Sequence, residues 1–192
     1  MLAKESKTLD QALSDTRHPW ADEKLDGWRC LVDIGAGGNP RSYSRKGKPL
    51  TLPFHISSAL KQLPAGTLLD GELIHGTGAV PGGRNMLFDV NTADAHYAVF
   101  DVLRWDGADT HKMPLLLRKE ILDYSLYWER HHPVFALRGG LIDTADKVSA
   151  LYQLFDLREG VVIKEATSSY LPGKRVGFWR KVINPEYGKV IQ

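Results

Sequence analysis

Between Trp28 and Ile34 the chain alternates: Trp28, Cys30, Val32 and Ile34 fall on one side, and Arg29, Leu31 and Asp33 on the other. A period of two is the signature of an extended strand with one face in a core. Gly35 to Pro40 is a run of turn formers, and Arg41 to Ser44 resumes the extended pattern, which predicts a hairpin. Further strands are expected at Thr67 to Ile74, His96 to Leu103, Val134 to Leu137, Val161 to Lys164 and Val176 to Ile183. Helical patterning is sparser. His55 to Leu63 reads as a helix stopped by Pro64 and Gly66. Pro114 opens a second helix running to about Trp128, and Thr144 caps a third in which Leu151, Leu154 and Phe155 share a face. The polar residues 1–20 are expected to form an N-terminal arm or a short helix. Strands dominate and hairpins recur, so the expected class is α+β with a mostly antiparallel sheet. A length of 192 residues with 43% hydrophobic content suits a single domain, 1–192, with a proper core.

Composition narrows the setting. The 25 basic and 23 acidic residues leave a net charge of +2, which neither proves nor excludes a polyanionic partner. Cys30 is the single cysteine, so no intrachain disulfide forms and a reducing compartment is expected. The N-terminus lacks the apolar stretch of a signal peptide. No apolar run approaches the roughly 18 residues of a membrane helix. The expectation is a soluble, cytoplasmic protein with no membrane partner.

Several short segments carry chemistry. In Glu23-Lys24-Leu25-Asp26-Gly27-Trp28-Arg29, Lys24 is a candidate nucleophile. A lysine amine titrates near 10.4 and attacks only when burial, a cation or a metal lowers that value. Gly27 lets the backbone turn closely around a ligand, and Arg29 can aim a charged fork at ribose or phosphate. Read alone, the segment suits an exposed lysine before an Asp-Gly turn at least as well. In Leu69-Asp70-Gly71-Glu72-Leu73, two carboxylates interrupt an apolar strand and each needs a cation, a metal or strong donors; Glu72 is the better candidate. Phe100, in phase with Ala98 and Val102, is either core or a platform for a nucleobase. Glu159 and Lys164 flank an apolar strand, as edge charges or as a Mg²⁺ carboxylate and a phosphate-binding lysine. Phe178-Trp179-Arg180-Lys181 places basic residues beside aromatics, which also suits a surface strand.

In order along the chain, these segments resemble the covalent nucleotidyltransferase superfamily of ATP-dependent DNA ligases, RNA ligases and mRNA capping enzymes. The motifs are Lys-x-Asp-Gly-x-Arg at Lys24 to Arg29, Asp-Gly-Glu at Asp70 to Glu72, Phe-Asp at Phe100 and Asp101, Glu-Gly-x-Val-x-Lys at Glu159 to Lys164, and Trp-x-Lys at Trp179 to Lys181. Ser44-Arg45-Lys46-Gly47 and Ser169-Tyr170-Leu171-Pro172-Gly173-Lys174-Arg175 are similar to the DNA ligases in particular. The resemblance implies an adenylation domain of two packed, mostly antiparallel sheets with flanking helices, ATP-grasp-like. It implies ATP as co-substrate and Mg²⁺ as metal. By position, Lys24 matches the lysine that takes AMP, and Asp22 matches an acidic residue that reads the adenine amino group. Arg29 and Glu72 match ribose and phosphate-side contacts, and Phe100 the stacking aromatic. Glu159, with Glu72, matches the metal-linked carboxylates, while Lys164 and Lys181 match phosphate-binding lysines. Arg45 is placed to hold nucleic-acid phosphates, and the implied partner is nicked DNA, with RNA as an alternative.

The chain departs from the family pattern in two ways. Ile183 stands where a second motif lysine is usual. The sequence ends at Gln192, before the C-terminal oligonucleotide-binding barrel of these ligases, so the expectation is a chain without that barrel, served by a separate partner or standing as one domain. Two other functions fit the same residues: an mRNA guanylyltransferase using GTP, and a non-catalytic nucleotide or nucleic-acid binding module.

Overall fold

The computed structural model describes residues 1–76, 94–127 and 129–187. Among these, two sheets form. The first has the order β1-β12-β11-β2-β10, built from Leu2–Glu5 (β1), Pro19–Glu23 (β2), Gly139–Leu141 (β10), Gly160–Glu165 (β11) and Arg175–Ile183 (β12). The second has the order β5-β4-β3-β6-β7-β8. Its strands are Trp28–Ile34 (β3), Pro40–Ser44 (β4), Pro49–Leu50 (β5), Thr67–His75 (β6), Ala95–Trp105 (β7) and Ala108–Asp109 (β8), with Val134–Ala136 (β9) added beside β7. Pairing is antiparallel except for β1 with β12 and β7 with β9. The expected α+β architecture of two mostly antiparallel sheets with flanking helices is the one observed.

Each sheet has an outer face sealed by helices. Helix α1 (Leu9–Ser14) and helix α4 (Ala145–Leu157) cover the first sheet, where Leu9, Ala12 and Leu151 pack on Ala21, Val161, Ile163 and Val182. Thr144 caps α4 as its sequence predicts, its hydroxyl accepting from the Lys147 N–H. Helix α2 (Phe54–Leu60) covers the second sheet through Ile56 and Leu60, which pack on Cys30, Val32 and Ile34. The alternation read from Trp28 to Ile34 is therefore the outer, α2-facing side of β3. Helix α3 (Leu115–Ser125) packs along β7. It ends short of Trp128, which lies outside the described residues. No helix among the described residues is long and apolar enough to cross a membrane.

Residues 1–20, expected as an arm or short helix, hold the short helix α1 but also contribute strands to the first sheet. β1 pairs with β12, Met1 is buried, and β2 begins at Pro19. The alternation of β7 also departs from its expected phase. β6 and β7 pair Asp70 with Asp101 but Gly71 with Val99, so Phe100 is an extra, bulged residue. A bulge shifts the strand by one residue and re-aims a side chain. Val99 and Val102 consequently share the α2-side core, while Phe100 packs with Ala98 on the opposite side.

Arg118 of α3 fixes this arrangement. Its fully buried guanidinium donates from Nε to Asp101 Oδ1 at 2.6 Å and from Nη2 to Oδ2 at 3.1 Å. Nη1 reaches the Ser168 carbonyl at 3.1 Å and also the Met113 carbonyl. The bridge ties α3 to the bulged part of β7 and to the turn after β11. Removing one member leaves a buried carboxylate without its counter-charge, which costs about 3–5 kcal/mol. Arg118→Met is therefore expected to lower unfolding free energy by about that amount in urea denaturation; a loss under about 1 kcal/mol contradicts the assignment.

Candidate active site

The two inner faces converge on a cavity of about 330 Å³. Of the residues predicted for the site, Asp22, Lys24, Arg29, Arg45, Glu72, Phe100, Lys164 and Lys181 line it. Glu159 does not line it but touches Lys24. Strand parity explains the convergence: Val161 and Ile163 enter the outer core of the first sheet, which turns Val162 and Lys164 inward.

Lys24 follows β2 directly. Its N–H donates to the Gly160 carbonyl at 2.9 Å, holding it beside the start of β11. Its ammonium ion-pairs with the Glu159 carboxylate, and both side chains stay about one-fifth exposed, at 21% and 19%. Gly27 serves a close backbone approach to β6 rather than a turn around a ligand. A Cβ there would lie 2.2 Å from the Leu73 carbonyl oxygen and 2.8 Å from Glu72 Cγ. Tight contact of the Lys24 loop with β6 thus sets where Glu72 sits.

Arg29 faces Glu72 across β3 and β6, yet its fork is spent on Asp70: Nε to Oδ1 at 3.0 Å and Nη2 to Oδ2 at 2.5 Å. It also donates to the Met1 carbonyl at 2.7 Å and to the Tyr170 hydroxyl at 3.0 Å. Tyr170 in turn donates to Asp70 Oδ2 at 2.8 Å. Burial and the Asp70 charge push the Tyr170 hydroxyl well above the usual tyrosine range, so it remains a donor. Burial pushes the Cys30 thiol, on the other face of β3, up to about 12, so it stays protonated at neutral pH.

Asp22, which the resemblance matches to a residue that reads the adenine amino group, already has other partners. The carboxylate is buried and fully engaged. Oδ1 accepts from Trp20 Nε1 at 2.7 Å and from Lys119 Nζ at 2.9 Å. Oδ2 accepts from Lys119 Nζ at 3.0 Å and from Lys164 Nζ at 2.6 Å. Gly139 of β10 permits this, because a Cβ there would lie 2.2 Å from Asp22 Oδ1 and 2.3 Å from Trp20 Nε1. Sequence reading missed Lys119, Trp20 and Gly139. A lysine among the leucines of a helix carries no local sign that it is buried against a carboxylate. Lys164 Nζ also lies 4.9 Å from the Phe100 ring centroid and 4.4 Å from that of Trp179.

Across β11 from Asp22, Lys181 pairs with Glu5 at 2.9 Å. Ile183 is on the same face of β12, two residues along, opposite Gly160, and 37% exposed. The neighbouring Glu23 carboxylate is held by Arg158 at 2.9 Å and by Arg130. No group of three or more potential metal ligands occurs among the described residues. Of the two carboxylates expected to hold Mg²⁺, Glu72 lines the cavity and Glu159 ion-pairs with Lys24; Mg²⁺ needs only one or two carboxylates when water and phosphates complete its shell.

Burial alone would raise the Asp22 carboxyl, but Lys119 and Lys164 outweigh it and hold the group below the usual aspartate range. A depressed folded-state value stabilises the fold above the unfolded value, and that contribution is lost as pH falls through the folded one. Stability in urea is therefore expected to drop as pH falls below about 3.9, and Asp22→Asn is expected to flatten that part of the profile while lowering stability at neutral pH. An unchanged acid slope in the variant contradicts the assignment.

The family model described as ATP dependent DNA ligase domain matches residues 1–182. The SPbeta prophage-derived DNA ligase-like protein of Bacillus subtilis (strain 168) is 34% identical over 193 residues, covering 93% of this chain and 68% of that protein. The DNA ligase of Archaeoglobus fulgidus is 30% identical over 203 residues, covering 95% of this chain but 35% of that protein. Among solved structures, mycobacterial DNA ligase D complexed with ATP and MES superposes with a TM-score of 0.66 at 23% identity, over 96% of this chain and 59% of that one. Chlorella virus DNA ligase-adenylate gives 0.65 at 20% identity, over 94% and 66%. The chain belongs to the ATP-dependent DNA ligase domain family and has the fold of a ligase adenylation domain.

Proposed function

We infer that this chain performs the adenylation chemistry of an ATP-dependent DNA ligase on Lys24, and that the AMP then serves to seal nicked DNA. The observation that carries the reading is the Lys24 ammonium at the cavity edge, ion-paired with Glu159 among residues of the ordered motifs. Lys24 Nζ attacks the α-phosphorus of ATP, a P–N bond forms, and the bond to the bridging oxygen breaks as pyrophosphate leaves. The proton shed by the amine has Glu159 as its nearest acceptor. Lys164 and Lys181 line the same cavity and supply positive charge to the transferred group. Phe100, aimed inward by its bulge, offers a face for the base. Glu72 and Glu159 are the carboxylates that would hold Mg²⁺, which would supply further charge neutralisation.

In the following steps AMP moves from Lys24 to a 5′-phosphate, and a neighbouring 3′-hydroxyl displaces it. Arg45 lies in the turn between β4 and β5 at the cavity mouth, where it suits a nucleic-acid phosphate. Arg29 acts mainly through Asp70 and Tyr170, as a brace for the cavity wall.

Incubation with radiolabelled ATP and Mg²⁺ followed by a denaturing gel tests the reading. A labelled protein band is expected that disappears in Lys24→Ala; no band, or one retained in the variant, contradicts it. Ile183→Lys adds a cation to the face that carries Lys181. It is expected to speed adduct formation or nick sealing by about tenfold; an unchanged or slower rate in both shows that Ile183 is no handicap.

A further inference from the structure

The donors around Asp22 are unequal. A carboxylate offers about four lone-pair sites, and here four contacts fill them: one from Trp20, two from Lys119 and one from Lys164. Trp20 and Lys119 approach from the core and do not line the cavity. Lys119 is 2% exposed and is further held by the Leu137 carbonyl at 3.3 Å. Lys164 does line the cavity, and its ammonium sits 4.9 Å from the centre of the Phe100 ring. A base stacked on that ring competes for the space the ammonium holds. Any ligand that reaches Asp22 must therefore displace Lys164, and only a ligand with its own N–H donor replaces the lost bond.

We propose that Lys164 is an exchangeable occupant of the base site: the amino group of adenine replaces it on Asp22 Oδ2, and the released ammonium moves to the phosphates. Base recognition and delivery of a phosphate-binding cation are then one exchange. The exchange balances hydrogen bonds, because a neutral N–H donor fills the vacated acceptor while the lysine gains a more highly charged partner. A purine with an acceptor or a bare C–H at the same position leaves the carboxylate short of a donor, so Lys164 stays on Asp22. Trp20 and Lys119 are positioning residues that keep Asp22 in place while Lys164 leaves. This inference rests on the adenylation reading above and adds to it a coupling between base and chemical step.

The test compares ATP with purine riboside triphosphate, which lacks only the 6-amino group. Single-turnover adduct formation with Mg²⁺ is followed over a range of nucleotide concentrations in the full chain. The saturating rate constant is expected to fall at least tenfold without the amino group, because Lys164 stays on Asp22. In Asp22→Asn, which cannot hold the ammonium as an ion pair, the two triphosphates are expected to react within about twofold of each other. If the wild-type chain shows equal saturating rate constants and differs only in half-saturating concentration, the amino group merely binds and the exchange is overturned. A difference that persists in Asp22→Asn also overturns it. Should Asp22→Asn fail to fold, the wild-type comparison decides the matter alone. No adduct with either triphosphate overturns the adenylation reading itself and this inference with it, an outcome distinct from equal rates.

Discussion

The buried carboxylate of Asp22, held by two lysines and an indole, is the interaction on which the site depends. Three charges are removed from water in one place, which is tolerable only when every oxygen and ammonium finds a partner. The partners come from separate elements: Asp22 from β2, Lys164 from β11 and Lys119 from α3. Because α3 packs on β7 of the second sheet, this cluster fastens the first sheet to the second. It also fixes the position of Lys24, two residues beyond Asp22 and hydrogen-bonded to β11.

A second network braces the opposite wall. Arg29, Asp70 and Tyr170 join β3, β6 and the segment before β12, with the Met1 carbonyl as a further acceptor. Arg118 and Asp101 then hold the strand in which Phe100 is bulged. Charge pairs brace the inner faces alongside apolar clusters such as Leu25, Ile74, Ala98 and Phe135, while the outer faces pack against helices. Lys24 and Glu159 meet at the junction of these supports and keep partial exposure.

Much of this was legible in the sequence where local pattern and burial agree. Trp28–Ile34 is the strand its alternation predicts, and Thr144 caps its helix. The ordered motifs brought together Lys24, Glu72, Phe100, Lys164 and Lys181 around one cavity, although they are far apart in the chain. Residues 1–20 were harder. β1 is a short, polar edge strand whose pairing partner lies at the other end of the chain, and β2 carries Asp22 and Glu23 in place of apolar residues. Phe100 lines the cavity but is out of phase with Val102, since a bulge leaves no mark on local periodicity.

The sequence by itself determined which motif residues are present and in what order, because motifs depend on residue type and spacing. It also determined the strand-rich class, because alternation depends on neighbours alone. Tertiary structure decided how those residues are used. It engaged Asp22 with Lys119, turned Arg29 onto Asp70, and set Ile183 on the cavity face beside Lys181. These outcomes depend on which charges meet when two sheets close on one another, and electrostatic partners from distant segments leave no signature in any local window.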